Sequence, residues 1–108
     1  MFARAGAPVT LIGRAQHVEA MARAGLFFDS IHFRQQIPVS ASTDAAAVRD
    51  AEIVLLCVKT VDTEEAAKSL APHLAGGAVL VSLQNGVDNV ERIRSATGIE
   101  AIPASVYV

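Results

Sequence analysis

The chain has 108 residues, enough for one small domain, and its 52% hydrophobic content predicts a buried core. A net charge of −2 with scattered Lys and Arg argues against a nucleic-acid partner. We expect no membrane partner, because no apolar run approaches the ~20 residues that cross a bilayer and no signal peptide is visible. The single cysteine, Cys57, excludes an internal disulfide framework and favours a reducing, cytoplasmic location, and the three histidines lack the spacing of metal ligands.

The first half of the chain alternates between strand-like and helix-like patterns. Residues 1–6 resemble the last turn of a helix that ends near Gly6. The following predicted elements are a short buried strand at 8–13, a helix at 15–25, a strand or pair of strands at 26–42 and a short helix at 42–52.

The second half continues this alternation. Its predicted elements are a central parallel strand at 53–59, a helix at 62–74, a second central strand at 78–83, a helix at 87–97 and the beginning of another strand at 99–108. We expect Cys57 to be a small core residue of the first of these strands. Asp62 or Thr63 can cap the helix, and its spacing predicts that Ala66, Leu70 and Leu74 share one face.

This alternation predicts an α/β fold with parallel βαβ units, in which binding sites lie beyond the carboxyl ends of the strands. Three segments occupy such positions: Gly13-Arg14, Lys59-Thr60 and Gln84-Asn85-Gly86. A guanidinium at the first could bind the 2′-phosphate of NADP, since no Asp or Glu lies between residues 9 and 16. A solvated surface Arg14 explains the same pattern equally well.

The other two strand ends also allow two interpretations each. Lys59 either emerges into solvent or offers an ammonium to a phosphate, a ribose hydroxyl or a substrate carboxylate. Asn85 either caps the following helix or presents its amide to a ligand. Gly86 permits close approach of the backbone to such a ligand.

The order of these motifs resembles the nucleotide-binding half of the ketopantoate reductases (2-dehydropantoate 2-reductases). The resemblance rests on "VLLCVKT" and "LVSLQNGVDN", supported by "KTVDTEEAAKSLAPHL", and is strongest from residue 51 to 94. It implies that Arg14 binds the 2′-phosphate of NADPH, and that Lys59 and Asn85 border both the nicotinamide end of the cofactor and a 2-oxo acid substrate. It also implies that Gln84 and Gly86 shape the same turn, that a helical domain follows, and that a homodimer can form.

Two parts of the family pattern are not present in the sequence. It contains neither the first strand with its GxGxxG loop nor the C-terminal helical domain. We therefore expect residues 1–108 to be a partial NADP-binding domain, an incomplete Rossmann-like, doubly wound, mainly parallel sheet with helices on both faces. The strands at 9–12 and 53–58 would each lose a neighbour, or else pair directly with each other.

The predicted function is that of a fragment of an NADPH-dependent 2-oxo acid reductase that reduces 2-dehydropantoate to pantoate in pantothenate and coenzyme A biosynthesis. The proton donor is expected outside this chain, so we expect the isolated chain to be inactive and poorly soluble or partly molten. Two alternatives stay open. One is another NAD(P)-dependent hydroxyacid dehydrogenase, and the other is a non-catalytic nucleotide-binding or interaction module.

Overall fold

The computed structural model describes residues 1–107. The chain divides into two compact units, unit 1 at Met1–Ala47 and unit 2 from Val48 onward. A short 3₁₀ helix at Ala45–Val48 stands where the sequence predicted a longer helix at 42–52. Asp44 caps this turn, since its Oδ1 accepts from the amide of Ala46 at 2.9 Å.

Unit 1 contains two small two-stranded sheets and one helix. The strands are β1 (Thr10–Ile12), β2 (Leu26–Asp29), β3 (Arg34–Ile37) and β4 (Ser40–Ser42), and the helix is α1 (Ala15–Ala24). β1 pairs with β4 in parallel. The helix α1, which lies between these two strands in the chain, packs against β4. β2 and β3 form an antiparallel hairpin, so the segment 26–42 contains three short strands.

The N-terminal residues form the helical turn that the sequence predicted. The amide of Ala5 donates to the carbonyl oxygen of Met1 at 3.0 Å, and the turn ends at Gly6. The guanidinium of Arg4 lies 3.9 Å from the ring centre of Phe33 and donates to the side chain of Gln35. These contacts attach the turn to the hairpin.

Gly25 ends α1 and turns the chain into β2. Its φ of 73° is in the region that favours glycine, and its amide donates to the carbonyl oxygen of Met21 at 2.8 Å. A Cβ at this position would stand 2.7 Å from the carbonyl oxygen of Ile37. The close approach of helix end and strand β3 therefore requires glycine.

Unit 2 is a three-stranded parallel sheet with two helices. Its elements are β5 (Ile53–Leu56), α2 (Thr63–Leu70), β6 (Val79–Ser82), α3 (Asn89–Thr97) and β7 (Ile102–Pro103), with 3₁₀ helices at Thr60–Asp62 and Ala71–His73. The strand order is β5-β6-β7, so β6 is central and β5 lies at an edge. The predicted strand at 99–108 is reduced to β7, and its last residue, Val108, lies outside the described residues.

The core of unit 2 lies between one face of this sheet and the helices α2 and α3. Val54, Leu56 and Leu80 point into it, and Ile93 of α3 is fully buried. The buried residues of α2 are Thr63, Ala67 and Leu70, so of the face predicted from helical spacing only Leu70 is among them.

The opposite face of the sheet is exposed in unit 2, contrary to the prediction that the strand at 53–59 is buried on both sides. Ile53 is 64% exposed and Leu55 41% exposed, because alternate residues of a strand point to opposite faces. Cys57 follows on this same face and is exposed, so the prediction that it is a core residue is wrong.

The α/β class with parallel strands and intervening helices is confirmed, although the strands are distributed over three small sheets. Among residues 1–107, no helix combines the length and apolarity that crossing a membrane requires. The same residues contain no group of three or more His, Cys, Asp or Glu side chains arranged to hold a metal ion.

Candidate functional site

Lys59 and Asn85 follow neighbouring strands at equivalent positions. In the parallel register of β5 and β6, Leu56 lies opposite Ser82, and each candidate residue comes three positions later in its own strand's direction. The amide of Leu83 continues the pairing by donating to the carbonyl oxygen of Leu56 at 3.0 Å. Both residues therefore lie at the end of the sheet where the carboxyl ends of the strands meet, as the sequence predicted for parallel neighbours.

The two loops that carry these residues are joined directly. The hydroxyl of Thr60 donates to the backbone carbonyl oxygen of Asn85 at 2.8 Å. The side-chain amide of Asn89 donates to the same oxygen, also at 2.8 Å. Gly86 follows with a φ of 109°, and a Cβ there would lie 3.3 Å from the Nδ2 atom of Asn89. The turn is thus held from both sides and closely packed where a side chain would otherwise stand.

A second set of hydrogen bonds is formed by the side chain of Gln84, the residue immediately before this turn. Its Nε2 donates to the carbonyl oxygen of Val58 at 3.0 Å and to the hydroxyl of Thr63 at 2.8 Å. Its Oε1 accepts from the hydroxyl of Ser82 at 2.9 Å. The Thr63 hydroxyl donates onward to Oδ1 of Asn89 at 3.1 Å. We call Thr63, Ser82, Gln84 and Asn89 the polar cluster.

The side chains of Lys59 and Asn85 themselves remain available. Both residues are exposed, and neither side chain forms a hydrogen bond or ion pair within the described part of unit 2. An unpaired ammonium and an unpaired carboxamide at the same end of the sheet offer several donors and one acceptor to a ligand. This is chemistry suited to sugar hydroxyls, carbonyls and carboxylates.

Arg14 belongs to unit 1, at the carboxyl end of β1. It occupies the position before α1, is exposed, and forms no side-chain bond within unit 1. Its guanidinium is therefore available as well. The structure brings Lys59 and Asn85 to the same end of one sheet, whereas Arg14 belongs to unit 1.

The interpretation of Asn85 as the cap of the following helix is wrong. α3 begins at Asn89, with Asp88 in the capping position and without a side-chain cap bond. Asp62 likewise precedes α2 without a side-chain cap bond, so the predicted capping role there is not seen. The hairpin that Asn-Gly often marks is absent as well, since β6 pairs in parallel with β5 and β7.

Thr63 and Asn89 are the residues of this region that the sequence interpretation missed. Their signal is helical spacing: Thr63 precedes Ala67 and Leu70 by four and seven residues, and Asn89 precedes Ile93 by four. Polar residues on an otherwise apolar helix face indicate buried hydrogen bonding. That inference needs the helix phase, which the sequence pattern had placed one residue too early.

Charges on the outside of α2 and α3 connect the two helices. Arg92 pairs with Asp88 at 2.8 Å and with Glu64 at 3.2 Å, and the second of these pairs joins α3 to α2. The hydrogen bond from Arg92 lowers the pKa of Asp88, and that same bond raises the pKa of Arg92. Partial desolvation raises the pKa of the exposed Cys57 thiol, which keeps it protonated at neutral pH.

A family model described as ketopantoate reductase PanE/ApbA matches residues 1–108, the whole chain. The chain belongs to this family. The 2-dehydropantoate 2-reductase of Pyrococcus horikoshii is 32% identical over 98 residues, which cover 91% of this chain and 32% of that protein. The Pyrococcus abyssi enzyme of the same name is 36% identical over 93 residues, or 86% of this chain and 30% of that protein.

Solved structures agree with the fold. A PanE/ApbA family ketopantoate reductase from Ralstonia eutropha is 46% identical with a TM-score of 0.88, covering 96% of this chain and 34% of that one. A D-mandelate dehydrogenase in a ternary structure with NADH and anilino(oxo)acetate is 20% identical with a TM-score of 0.80, a likeness of fold alone that covers 94% of this chain and 34% of that one. The chain spans about a third of the length of the curated relatives it matches.

Proposed function

We propose that this chain forms part of the nucleotide-binding region of an NADPH-dependent 2-dehydropantoate 2-reductase. The reaction is the reduction of 2-dehydropantoate to pantoate, a step toward pantothenate and coenzyme A. The observation that carries the proposal is the family match over residues 1–108, joined to the placement of Lys59 and Asn85 at one sheet edge.

The proposed preference for NADPH over NADH rests on Arg14. In dinucleotide-binding folds the end of the second strand faces the adenosine ribose, where an acid suits the 2′-hydroxyl and an Arg suits the 2′-phosphate. Arg14 offers an exposed guanidinium, and no acidic residue lies between residues 9 and 16. A guanidinium binds a phosphate through two parallel hydrogen bonds, which gives both affinity and selectivity.

Lys59 and Asn85 are proposed to border the reacting end of the site. NADPH, when bound, supplies the hydride. The ammonium of Lys59 would bind a carboxylate or hydroxyl of the ligand, and the carboxamide of Asn85 would orient a carbonyl or amide group beside it. Lys68 is exposed on the outer surface of α2 and is a poor proton donor for this edge. The proton donor is proposed to lie in residues outside this chain, within a helical domain.

The remaining predictions concern the location of the protein in the cell, its oligomeric state and the activity of the isolated chain. A cytoplasmic location and the capacity to form a homodimer remain predictions from the family resemblance and from the single cysteine. Inactivity of the 108 residues alone is proposed because the substrate-binding domain of the family is not among them.

The test uses the complete gene product in which this chain occurs. Its turnover is measured with NADPH and NADH against 2-dehydropantoate and a panel of other 2-oxo acids. Turnover of 2-dehydropantoate above all other acids is expected. Preference for a different acid would replace the proposed substrate, and no reduction of any acid would overturn the proposed activity.

Arg14→Ala tests the cofactor preference, with Arg23→Ala, an exposed arginine of α1, as the matched control. Loss of charged hydrogen bonds to a phosphate should raise the Kd for NADPH by roughly 10- to 100-fold while the Kd for NADH changes by less than about threefold. The control should change neither constant. Equal weakening of both cofactors by Arg14→Ala would contradict a role in 2′-phosphate binding.

A further inference from the structure

Three of the four residues of the polar cluster are buried where apolar side chains would be expected, and Gln84 is partly buried. Thr63 is completely buried, and Ser82 and Asn89 are each only 3% exposed. Thr63 shares its helix face with Ala67 and Leu70, and Asn89 shares its own with Ile93. Burying polar groups is costly unless every group finds a partner. Among the described residues, no buried side-chain nitrogen or oxygen lacks one.

The hydrogen bonds of the cluster allow only one arrangement of donors and acceptors. Gln84 uses both protons of its Nε2, on the Val58 carbonyl and on the Thr63 hydroxyl, and accepts from Ser82 with its Oε1. Thr63 must therefore send its own single proton to Asn89. Reversing the Gln84 amide would turn its oxygen toward the Val58 carbonyl, two acceptors that repel each other. The orientation of each group thus follows from its neighbours.

Each end of the cluster terminates on the backbone beside a candidate site residue. At one end the acceptor is the carbonyl of Val58, the residue immediately before Lys59. At the other end the acceptor is the carbonyl of Asn85 itself, reached through Asn89. One hydrogen-bonded path between these two carbonyls runs through the side chains of Gln84, Thr63 and Asn89. The cluster therefore provides a second hydrogen-bonded link between the backbones of the two loops, in addition to the direct bond from Thr60.

We propose that Gln84, Thr63 and Asn89 are positioning residues that hold Lys59 and Asn85 at a fixed separation for binding of the nicotinamide end of NADPH and the 2-oxo acid. This proposal rests on the proposed function. An apolar cluster of the same shape would pack the helices on the sheet without directing two backbone carbonyls, because apolar contacts are non-directional. Directional bonds in a buried, fully satisfied network specify one geometry. Thr63 is the pivot, since its hydroxyl is both an acceptor and a donor within the path.

The decisive variant is Thr63→Val, which keeps the shape of the side chain and removes the hydroxyl. Thr63→Ser restores the hydroxyl and serves as the rescue. Ile93→Val removes one buried methylene group from the same core without touching the cluster and serves as the control for general loss of stability. All three are made in the complete gene product and compared at a temperature where each is folded by circular dichroism.

The first readout is independent of activity. Amide NMR spectra report on the side-chain amides of Gln84 and Asn89 and on the backbone amides of Asn85 and Gly86, and hydrogen exchange reports on the two side-chain amides, which are hydrogen-bonded. In Thr63→Val these signals should shift, and exchange of the Gln84 and Asn89 side-chain amides should accelerate by at least about tenfold because opening is less costly. Thr63→Ser and Ile93→Val should retain the wild-type pattern at the turn. An unchanged turn in Thr63→Val would overturn the positioning role.

The second readout is kinetic. Misplacement of binding groups by a fraction of an ångström to about 1 Å should lower kcat/KM for the 2-oxo acid by roughly 10- to 100-fold in Thr63→Val, with recovery to within a few fold in Thr63→Ser. Ile93→Val should leave kcat/KM near that of the wild type. An equal loss in Ile93→Val and Thr63→Val would assign the effect to stability and overturn the proposal. If the wild-type protein reduces no 2-oxo acid, the proposed function fails, and the spectra alone decide whether the cluster holds the turn.

Discussion

The hydroxyl of Thr60 donates a 2.8 Å hydrogen bond to the backbone carbonyl oxygen of Asn85, 25 residues later in the chain. This contact joins the loop after β5 to the loop after β6. It places the segment containing Lys59 beside the Asn-Gly turn. The loops that follow two neighbouring strands therefore form one continuous surface at the carboxyl end of the sheet. The parallel register of the strands brings the loops to the same end of the sheet, and the Thr60 bond determines their contact there.

Thr60→Val should loosen this edge. It removes the hydroxyl and leaves the Asn85 carbonyl with Asn89 as its remaining donor. Because the bond is partly exposed to water, the free energy of unfolding should fall by only about 0.5–1 kcal/mol in urea titrations. Thr60→Ser, which keeps the hydroxyl, should lie within about 0.5 kcal/mol of the wild type. A larger loss in the Ser variant than in the Val variant would show that the methyl group, rather than the bond, matters.

Gly25→Ala should destabilise the protein strongly. The added Cβ would meet the Ile37 carbonyl oxygen at 2.7 Å, in a backbone conformation with φ of 73° that L-residues rarely adopt. Strain of this kind costs about 1–3 kcal/mol, and the clash adds to it. Gly76→Ala is the control, since a Cβ there would have no atom within 4 Å. Thermal unfolding of the two variants should differ clearly, and equal midpoints would contradict the close approach of residues 25 and 37.

Ile93→Ala tests the core of unit 2. Ile93 is fully buried, and truncation of a buried Ile to Ala typically costs about 2–5 kcal/mol. Ile102→Ala makes the same chemical change at a residue that is 53% exposed, so it should cost about 1 kcal/mol or less. Urea unfolding of both variants measures the contrast. Similar losses would mean that the face carrying Ile102 is covered in the protein as it exists.

Asp88→Asn should remove a pH-dependent part of stability. The Arg92 hydrogen bond lowers the pKa of Asp88 below its ordinary value of about 4. A carboxyl whose pKa is lower in the folded state contributes stability above the unfolded pKa, and that contribution is lost as the pH falls through the folded pKa. The stability difference between wild type and Asp88→Asn should therefore be present at pH 7 and shrink as the pH falls below about 4.

The control for this titration is Asp50→Asn, an exposed aspartate that forms no ion pair among the described residues. Its difference from the wild type should vary less with pH over the same range. Urea midpoints measured from pH 7 to pH 2 provide the comparison. A difference for Asp88→Asn that stays constant across this range would contradict a native pairing with Arg92.

The positions of the elements could be predicted well wherever the signal was local. Gly25 ends α1 as its place after an amphipathic run predicted, and the apolar segments at 53–59 and 78–83 contain β5 and β6. The prediction was poorer where the outcome depends on neighbours. The helix at 42–52 is a single 3₁₀ turn, and α3 begins at residue 89 instead of 87, with Asp88 and not Asn85 in the capping position.

Within the candidate site, the sequence identified the exposed residues and missed the buried ones. Lys59 and Asn85 were visible as polar residues that directly follow apolar strands. Thr63 was interpreted only as a candidate cap, and Asn89 was not singled out, because a threonine or asparagine near a helix start resembles an ordinary cap. Their burial depends on how α2 and α3 rotate against the sheet, and no pattern within one helix specifies that rotation to a single residue.

The sequence by itself determined the α/β class, the alternation of strands and helices, and the three strand ends where polar residues gather. These depend on hydrophobic periodicity and on glycine, which act over a few neighbouring residues. Only the tertiary structure decided which face of β5 is buried, that Cys57 is exposed, and that Gln84 bonds to Thr63 instead of facing a ligand. Burial and hydrogen-bond partners depend on groups that are distant in sequence, such as Thr60 with Asn85 or Glu64 with Arg92, and chain folding alone brings these groups together.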